Sequence, residues 1–302
     1  ITVLMSIYNG ERFLREQIDS IIAQQDVNFK LIIRDDGSSD SSLSILEKYS
    51  QNTDLSDKIH IIKGENIGWK KSFSYLVDFA YKNCSSSQYF AFADQDDIWK
   101  PEKLKRAISF LNEHTDIPAL YYSNLSFYQD GIDKGLIDHA STTPTFKNCH
   151  ARNYATGCTI VFNKNLLLLL AMKRPDFVIP HDQWAYMVAA LTGKVFPDNK
   201  SFILYRQHEL NQIGSRHGFL DVWKRRFRNF SDNAGFRERT AKELIRTYSN
   251  RMHPEALEAT KKIAYYRKSI MSRFHLLFDS GYTLGNPGND FFFKLRILMG
   301  NL

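Results

Sequence analysis

The chain has 302 residues, 43% of them hydrophobic, so it can fill one large core or two modest ones. Its three cysteines, Cys84, Cys149 and Cys158, form an odd set without metal-site spacing, which argues against a disulfide framework and for a reducing compartment. The net charge is +7, and residues 219–302 alone hold 16 lysines and arginines against 8 aspartates and glutamates. The rest of the chain is therefore close to neutral.

The first third of the chain alternates predicted strands with predicted helices. Strands are predicted at residues 1–7, 30–34, 58–63 and 89–93. Apolar residues at helical spacing predict helices at 11–24 and 41–49, and a third that opens within 65–71 and runs to about 81. This alternation predicts a mostly parallel sheet with right-handed crossovers, and it brings the polar turns that follow the strands to one edge.

Three carboxylates, Asp94, Asp96 and Asp97, follow the apolar run at 89–93. Because Asp94 and Asp96 stand two residues apart, an extended backbone points them the same way, and they can converge on one divalent cation. The carboxyl end of a strand is also where α/β sheets bind ligands. An isolated D-x-D is usually only an acidic turn, but here other polar turns are predicted to share its edge.

Four motifs, in this order and spacing, resemble the nucleotide-sugar half of an inverting family 2 glycosyltransferase. They are S-I-Y-N-G, R-D-D-G-S-S-D, E-N-I-G and A-D-Q-D-D-I-W-K-P-E-K-L, and they cover about the first 105 residues. The resemblance implies an α/β GT-A fold, with a Rossmann-like, mostly parallel sheet flanked by helices. The longer D-Q-D-D-I-W form resembles the rhamnosyltransferase branch, which builds rhamnose-containing cell-wall, capsule or O-antigen polysaccharides. It implies dTDP-β-L-rhamnose as donor; a UDP-hexose used by the same residues stays open as the alternative.

The resemblance also assigns the cation and donor contacts. It makes Asp96 the ligand of Mg²⁺ or Mn²⁺ and places Asp94 on the ribose or the metal-bound shell, while Asp97 is expected to cap the helix near Pro101. A cation held there stabilises the diphosphate as the glycosidic bond breaks. The remaining donor contacts are assigned to Ser6, Tyr8, Asn9, Asp36, Asn66, Gly68 and Lys71.

Among these, Asp36 is expected to read the imide N–H of the pyrimidine, and Tyr8 to stack on the base. Ser6 and Asn9 are expected to line the base and ribose pocket. The N-x-G turn, 66–68, is expected to let the backbone approach the donor. Lys71 either meets a phosphate or lies on a solvated helix face.

The second half is expected to supply the acceptor site. An A-T-G-C turn at 155–158 resembles the small-residue turn that precedes this site in the family, and His181-Asp182 stands where the family usually has Glu-Asp. An inverting transferase needs a general base for the acceptor hydroxyl. We predict Asp182 for that role, although a histidine at 181 also accepts protons and an aspartate can merely cap a helix. Trp99 and Trp184 are predicted to contact the acceptor.

The strand-like run from 202 leads into a polar loop that carries Arg206 and His208. The Q-x-x-R-W motif of processive family members is absent there, which argues against a cellulose- or chitin-synthase-like polymerase. Arg206 either binds the diphosphate or packs structurally. His208 is predicted as a metal ligand, with a structural role as the alternative.

We expect a GT-A domain at 1–218, with a nucleotide-sugar half at 1–105 and an acceptor half at 106–218, followed by a basic helical region at 219–302. No apolar run approaches the roughly 18 residues of a membrane-spanning helix. The apolar N-terminus continues into motif residues, so no signal peptide is expected. These features predict a cytoplasmic enzyme on the inner face of the cell membrane.

Helices are predicted in the basic region at 222–229, 235–250 and 254–278. Basic and aromatic residues interleave at 223–230 and 291–298, a pattern typical of segments that lie on anionic membranes. Such a surface suits a lipid-linked glycan acceptor; packing on the catalytic domain or in a homodimer is the alternative. A nucleic-acid partner is not expected, because no zinc-finger or RNA-binding signature accompanies the charge. A non-catalytic sugar-nucleotide-binding scaffold remains a further alternative.

Overall fold

The computed structural model describes residues 1–136, 143–172, 175–206 and 235–302. The chain divides into two compact units. The first comprises Ile1–His139, Ala155–Ala189 and Gly193–Arg206, and the second comprises Ala140–Tyr154, Ala190–Thr192 and Gln207–Leu302. None of the described helices is both long enough and apolar enough to cross a membrane.

The first unit is built from strands and helices that alternate through its first 93 residues. Its strands are β1 (Thr2–Ile7), β2 (Lys30–Asp35), β3 (Ile59–Lys63), β4 (Tyr89–Ala93), β5 (Ile98–Trp99), β6 (Ala119–Gln129), β7 (Ile132–Leu136), β8 (Val161–Asn163) and β9 (Lys194–Arg206). Its helices are α1 (Leu14–Ile22), α2 (Ser42–Ser50), α3 (Trp69–Asn83), α4 (Lys103–Leu111), α5 (Lys164–Leu170) and α6 (His181–Thr192).

One sheet in the order β3-β2-β1-β4-β8-β6-β9-β5 organises this unit, with β7 paired to β6. Strands β1 to β4 pair in parallel, as the sequence predicts. Beyond them the sheet is mixed, because β8 is antiparallel to both β4 and β6. The chain reaches β8 through a 3₁₀ turn, Gly157–Thr159, that contacts the residues after β4, so β8 starts at the carboxyl edge and runs the opposite way.

The apolar core explains why the first strands carry so few polar residues. All six residues of β1 are buried, since both faces of the strand are covered. Val3, Met5 and Ile7 pack in one cluster with Leu14 and Ile18 of α1. Residues at spacing two on the strand therefore meet residues at spacing four on the helix, which is the pattern that the sequence shows.

The second unit is helical, with α7 (Phe236–Tyr248), α8 (Pro254–Ala264), α9 (Ile270–Phe278) and α10 (Pro287–Leu298). The helix predicted at 254–278 is two helices, because a 3₁₀ turn intervenes and the Ser269 hydroxyl caps α9 by accepting the Ser272 N–H. The helix predicted at 222–229 lies outside the described residues.

Candidate active site

The loops after β1 and β4 are clamped together by Gln95. Its Oε1 accepts the backbone N–H of Tyr8 at 2.7 Å, and its Nε2 donates to the Tyr8 carbonyl at 3.2 Å. A Cβ on Gly10 would lie 2.8 Å from that Oε1, so the glycine of Y-N-G is needed for this approach. The clamp holds the Tyr8 backbone while its side chain stays 47% exposed, open to an aromatic ligand.

Asn9 links the same loop to the G-S-S-D turn. Its backbone has a φ of 49°, its Oδ1 accepts the Ser39 N–H at 2.8 Å, and its N–H donates to Ser38 Oγ at 3.0 Å. Asp35 holds that turn from within by accepting the Ser38 hydroxyl. The residue assigned to the ribose pocket thus ties two loops together.

Asp36 lies at the centre of a buried polar network. It pairs with Arg34 and accepts the backbone N–H groups of Ile67 at 3.0 Å and Gly68 at 2.9 Å. The side chain is only 1% exposed, which leaves little of it open to a ligand. The structure therefore gives Asp36 a clear role in holding the N-I-G turn against β2; its reading of a base stays a prediction.

Ser6 belongs to this network as well. Its hydroxyl donates to Ser72 Oγ at 2.6 Å, and Ser72 Oγ also accepts from Arg34 at 3.2 Å. Asn66 Oδ1 accepts the Gly68 N–H at 3.1 Å. Gly68 itself has a φ of +81° and open space where a Cβ would stand, so its backbone conformation explains the glycine, and the space leaves room for a ligand.

The carboxylates after β4 are crowded and partly desolvated. Burial raises the pKa of Asp94 to about 7, and the negative charges of Asp96 and then Asp182 add to the shift. The structure therefore brings Asp182 from α6 into the field of the D-x-D pair. Two oxygen ligands that repel each other in this way suit a hard divalent cation, which would lower the cost of ionising both.

Asp97 does not have the capping role expected for it. Helix α4 begins at Lys103, with Glu102 at its N-cap and no side-chain cap bond. Asp97 is instead 1% exposed, and its pKa is raised well above the usual range by burial and then by Asp96 and Asp94.

Among the described residues, the group placed closely enough to hold a metal is Asp94, Asp97 and Cys158, whose ligand atoms lie within 4.8 Å of one another. The sequence pointed instead to Asp96, Asp94 and His208. Burial raises the pKa of the Cys158 thiol well above its normal value, so it stays a neutral thiol and a weak ligand. The oxygen donors at this edge fit Mg²⁺ or Mn²⁺, with Asp94 and Asp96 as the residues that would hold it. His208 lies outside the described residues.

Lys103 is a buried cation beneath this edge. It is fully buried, and its Nζ lies 3.6 Å from the ring centroid of Trp99. Burial lowers its pKa to about 7, although Cys158 and Asp97 oppose the shift. Trp99 is only 2% exposed. The structure therefore gives Trp99 a packing role against Lys103, and its contact with an acceptor stays a prediction.

His181 and Asp182 are the first two residues of α6. The His181 ring stacks on Phe73, with centroids 3.7 Å apart, and meets the edge of Phe92 at 4.6 Å. Burial lowers its pKa to about 3, so the imidazole stays neutral and is a weak proton acceptor. The choice of Asp182 as the general base stays a prediction.

Gly157 of the A-T-G-C turn packs directly against this pair. A Cβ at 157 would lie 2.9 Å from His181 Nε2 and 3.6 Å from the Asp182 Cβ. The turn can approach the start of α6 only without a side chain there. This contact is why the small-residue turn and the H-D pair, distant in sequence, lie together.

Arg206 has packing and hydrogen-bond contacts within the first unit, and its binding of a diphosphate stays a prediction. Its Nε donates to the Asp96 carbonyl at 3.0 Å, and its Nη2 donates to Glu16 Oε2 at 2.5 Å. The guanidinium lies over the rings of Phe13 and Tyr128. Through its bond to the Asp96 carbonyl, Arg206 holds the backbone of the D-Q-D-D loop in place.

The other assigned residues occupy the helices beside this edge. Lys71 is exposed on α3, and Trp184 is 7% exposed on α6. Trp69, which was not among the predicted site residues, is 37% exposed at the start of α3 and meets His181 edge to face at 5.9 Å. Its position directly after the N-I-G turn was the available signal.

The chain is similar in sequence to known glycosyltransferases. The Glycosyl transferase family 2 pattern matches residues 2–167. The chain is 32% identical over 230 residues to the "dTDP-rhamnosyl transferase RfbG" of Shigella flexneri, an alignment that covers 73% of this chain and 77% of that protein.

Two solved structures share the fold. The S. aureus TarS 1–349 complex with UDP-GlcNAc superposes with a TM-score of 0.59 at 16% identity, covering 100% of this chain and 81% of that one. The mannosyltransferase PcManGT from Pyrobaculum calidifontis, in complex with GDP-Man and Mn²⁺, gives a TM-score of 0.53 at 14% identity, covering 99% and 84%.

Replacing Lys103 with methionine should flatten the pH dependence of stability. The unfolded chain holds the lysine proton up to about pH 10.5, whereas the folded protein loses it near pH 7. The cost of burying the cation is thus full below pH 7 and fades as the pH rises towards 10.5. The wild type should gain free energy of unfolding relative to Lys103→Met between these values, as measured by urea denaturation.

Lys105→Met is the matched control, because Lys105 is exposed and lies on the same helix. It should follow the wild type across that pH range. A Lys103→Met curve parallel to the wild type would contradict the buried, deprotonating lysine.

Proposed function

The chain belongs to Glycosyl transferase family 2 and has a GT-A fold, and from this premise we propose that it is an inverting, metal-dependent transferase of L-rhamnose from dTDP-β-L-rhamnose. Its acceptor is a lipid-linked or growing cell-surface polysaccharide. The observation that carries the proposal is the approach of Asp182 to the end of β4: a Cβ at Gly157 would lie 3.6 Å from the Asp182 Cβ, and the neighbouring Cys158 lies within 4.8 Å of the Asp94 carboxylate, whose pKa burial and the charges of Asp96 and Asp182 raise. One displacement step needs these two functions side by side: a place for the diphosphate and a base for the acceptor.

The donor is supported by three features. The D-Q-D-D-I-W form of the motif resembles rhamnosyltransferases, and the relative with 77% of its length aligned carries a dTDP-rhamnosyl transferase name. The exposed ring of Tyr8 is available to stack on the pyrimidine. A UDP-hexose donor with the same residues is the alternative.

In the proposed mechanism, residues at the end of β4 and the start of α6 carry the chemical roles. A Mg²⁺ or Mn²⁺ held by Asp94 and Asp96 would neutralise the charge on the leaving diphosphate. The Asp182 carboxylate accepts the proton of an acceptor hydroxyl, whose oxygen forms the new bond to C1 from the opposite face. The C1–O bond to phosphate breaks, its electron pair leaves with the nucleoside diphosphate, and the anomeric centre inverts to an α-L-rhamnoside.

The donor assignment is tested by turnover of dTDP-rhamnose against UDP-glucose, UDP-galactose and UDP-N-acetylglucosamine, with Mg²⁺, Mn²⁺ or EDTA. We expect dTDP-rhamnose to be preferred and EDTA to abolish turnover. Asp96→Asn should lower metal-dependent turnover by about a hundredfold or more, because the diphosphate loses its counter-charge. The exposed Asp130→Asn variant is the control and should behave as the wild type.

Preference for a UDP-sugar would replace the donor while keeping the reaction. Full activity in EDTA or in Asp96→Asn would contradict the metal assignment. Absence of both binding and turnover with every donor would favour the scaffold alternative.

The base is tested by Asp182→Asn, which keeps the shape of the side chain. Turnover should fall by about 10² to 10⁴, while the Kd for donor stays near the wild-type value, because only proton transfer is lost. His181→Phe preserves the stack on Phe73 and should cost much less. A larger loss of kcat in His181→Phe than in Asp182→Asn would move the base role to the histidine.

We also propose that the helical unit holds the enzyme on the inner face of an anionic membrane. Helix α9 exposes Ile270, Met271, Phe274 and Phe278 at 74, 63, 44 and 76%, an apolar stripe at helical spacing. Residues 235–302 hold 12 lysines and arginines against 6 aspartates and glutamates. An apolar stripe in a basic unit suits the headgroup region, each basic residue near the surface adding about 1 kcal/mol.

The double variant Phe274→Glu/Phe278→Glu should lose sedimentation with phosphatidylglycerol vesicles, because two carboxylates would enter the acyl boundary. Ile132→Glu/Leu136→Glu, equally exposed in the first unit, should sediment as the wild type does. Binding that is unchanged in the α9 variant would contradict the membrane surface. A concentration-dependent dimer that only the α9 variant abolishes would assign the stripe to a second copy of the chain.

A further inference from the structure

Arg34 is a buried arginine to which the proposed mechanism gives no role. It stands in β2, and only 5% of its side chain is exposed. A buried guanidinium is costly unless its charge is paired and its N–H groups are hydrogen-bonded. The ion pair with Asp36 meets the first requirement, and contacts with two further segments meet the second. The residue therefore ties together parts of the chain that are distant in sequence.

The guanidinium of Arg34 joins three segments at the carboxyl edge of the sheet. Its Nη1 donates to the Asp36 carboxylate after β2 and to Ser72 Oγ on α3 at 3.2 Å. Its Nη2 donates to the Glu65 carbonyl, which precedes the N-I-G turn, at 3.0 Å. Arginine presents its donors in a rigid planar fork, whereas lysine has a single ammonium group. One rigid group thus sets the spacing of β2, the loop after β3 and α3.

Gly64 makes room for this fork. A Cβ at residue 64 would lie 2.5 Å from Arg34 Nη2 and 3.0 Å from Arg34 Cζ. The φ of Gly64 lies outside the left-handed region, so the contact, and not the backbone conformation, requires glycine there. The Gly64 N–H also donates to the Asp35 carbonyl at 3.0 Å, which holds the loop close to β2. An alanine at 64 would therefore displace the guanidinium from its partners.

The N-I-G turn is held at three points that depend on Arg34. Glu65 before the turn bonds to Nη2, and Ser72 after it bonds to Nη1. Asp36, ion-paired with the same guanidinium, accepts two backbone N–H groups of the turn, at 3.0 and 2.9 Å. No atom lies within 4 Å of the place of a Gly68 Cβ, so the outer side of the turn is open. A ligand that binds the turn thus meets a surface that Arg34 has already fixed.

On the basis of the transferase function proposed above, we propose that Arg34 is the positioning residue of the donor site. It holds the N-I-G turn and the first turn of α3 in the geometry that binds a nucleoside diphosphate sugar, and Gly64 leaves the space that the fork requires. Arg34 acts through Asp36 and the turn and touches neither the donor nor the reacting atoms. It therefore sets donor affinity rather than the rate of the chemical step, because a turn that is not held must be ordered when the donor binds.

Two variants disturb the fork in different ways. Arg34→Lys keeps the charge and loses the planar geometry, whereas Gly64→Ala keeps every buried polar group and displaces the guanidinium. Each should raise the Kd for dTDP-rhamnose, or for the UDP-sugar that the turnover panel selects, by about tenfold or more, because hydrogen bonds to charged groups are lost. The kcat at saturating donor should change by less than about threefold. The Kd is measured by calorimetry in Mg²⁺, and the fold is checked by urea denaturation.

Arg15→Lys and Gly288→Ala are the matched controls. Arg15 is exposed on α1, and a Cβ on Gly288 would make its nearest contact, with Asn286 Oδ1, at 3.4 Å. Both controls should bind the donor with the wild-type Kd.

A double variant tests whether Gly64 acts through Arg34. Once the fork is gone, the methyl group at 64 no longer meets Nη2, so Arg34→Lys/Gly64→Ala should bind the donor as Arg34→Lys alone does. If the two increases in Kd multiplied instead, Gly64 would act independently of Arg34, which would overturn the role given to it.

Three results would overturn the role of Arg34. The first is an unchanged donor Kd in both single variants with the fold intact. The second is a fall in kcat at an unchanged Kd, which would place Arg34 in the chemical step. The third is a loss of fold in both variants, which would make its role purely structural. A wild type that binds no sugar nucleotide refutes the proposed transferase function instead, and calorimetry on the wild type alone reveals that outcome.

Discussion

Mutual repulsion among carboxylates at the end of β4 is the constraint on which the rest of this edge depends. Asp94, Asp96 and Asp97 follow one strand within four residues, and Asp182 adds to their field. Such a group would push its own loop apart unless the backbone were held from outside. Gln95 holds it to the Tyr8 backbone on one side, and Arg206 holds the Asp96 carbonyl on another. Both contacts are made to main-chain atoms of the two loops.

A second hydrogen-bond network, around Arg34 and Asp36, holds the N-I-G turn in place. The Arg34–Asp36 pair is buried, and a buried pair is tolerated when further hydrogen bonds satisfy its remaining atoms. Asp36 receives two backbone N–H groups from the N-I-G turn, and Arg34 donates to the Glu65 carbonyl at 3.0 Å. The turn is therefore held in place by the protein itself. Preorganisation of this kind reduces the ordering cost when a donor binds.

The local pattern of apolar residues predicts most strands and helices of the first unit. The features that it does not predict depend on contacts between segments that are distant in sequence. The strands and helices up to α3 lie where apolar periodicity predicts them, because each one buries a face that its own sequence marks. The antiparallel direction of β8 was not predicted, because it depends on where the turn 157–159 meets β4. The same holds for the site. The D-x-D and H-D motifs are visible in the sequence. The packing of Trp99 against Lys103 and the hydrogen bond from Arg206 to the Asp96 carbonyl depend on tertiary packing and are not.

The histidine at 181, where the family usually has glutamate, can be explained by the negative charge already present at this edge. A glutamate at this position, as the family usually has, would add a further carboxylate beside Asp182 and near Asp94. The imidazole stays neutral, because burial lowers its pKa to about 3, and its ring can stack on Phe73 at 3.7 Å. A neutral aromatic ring thus orients the start of α6 without raising the negative charge at the site.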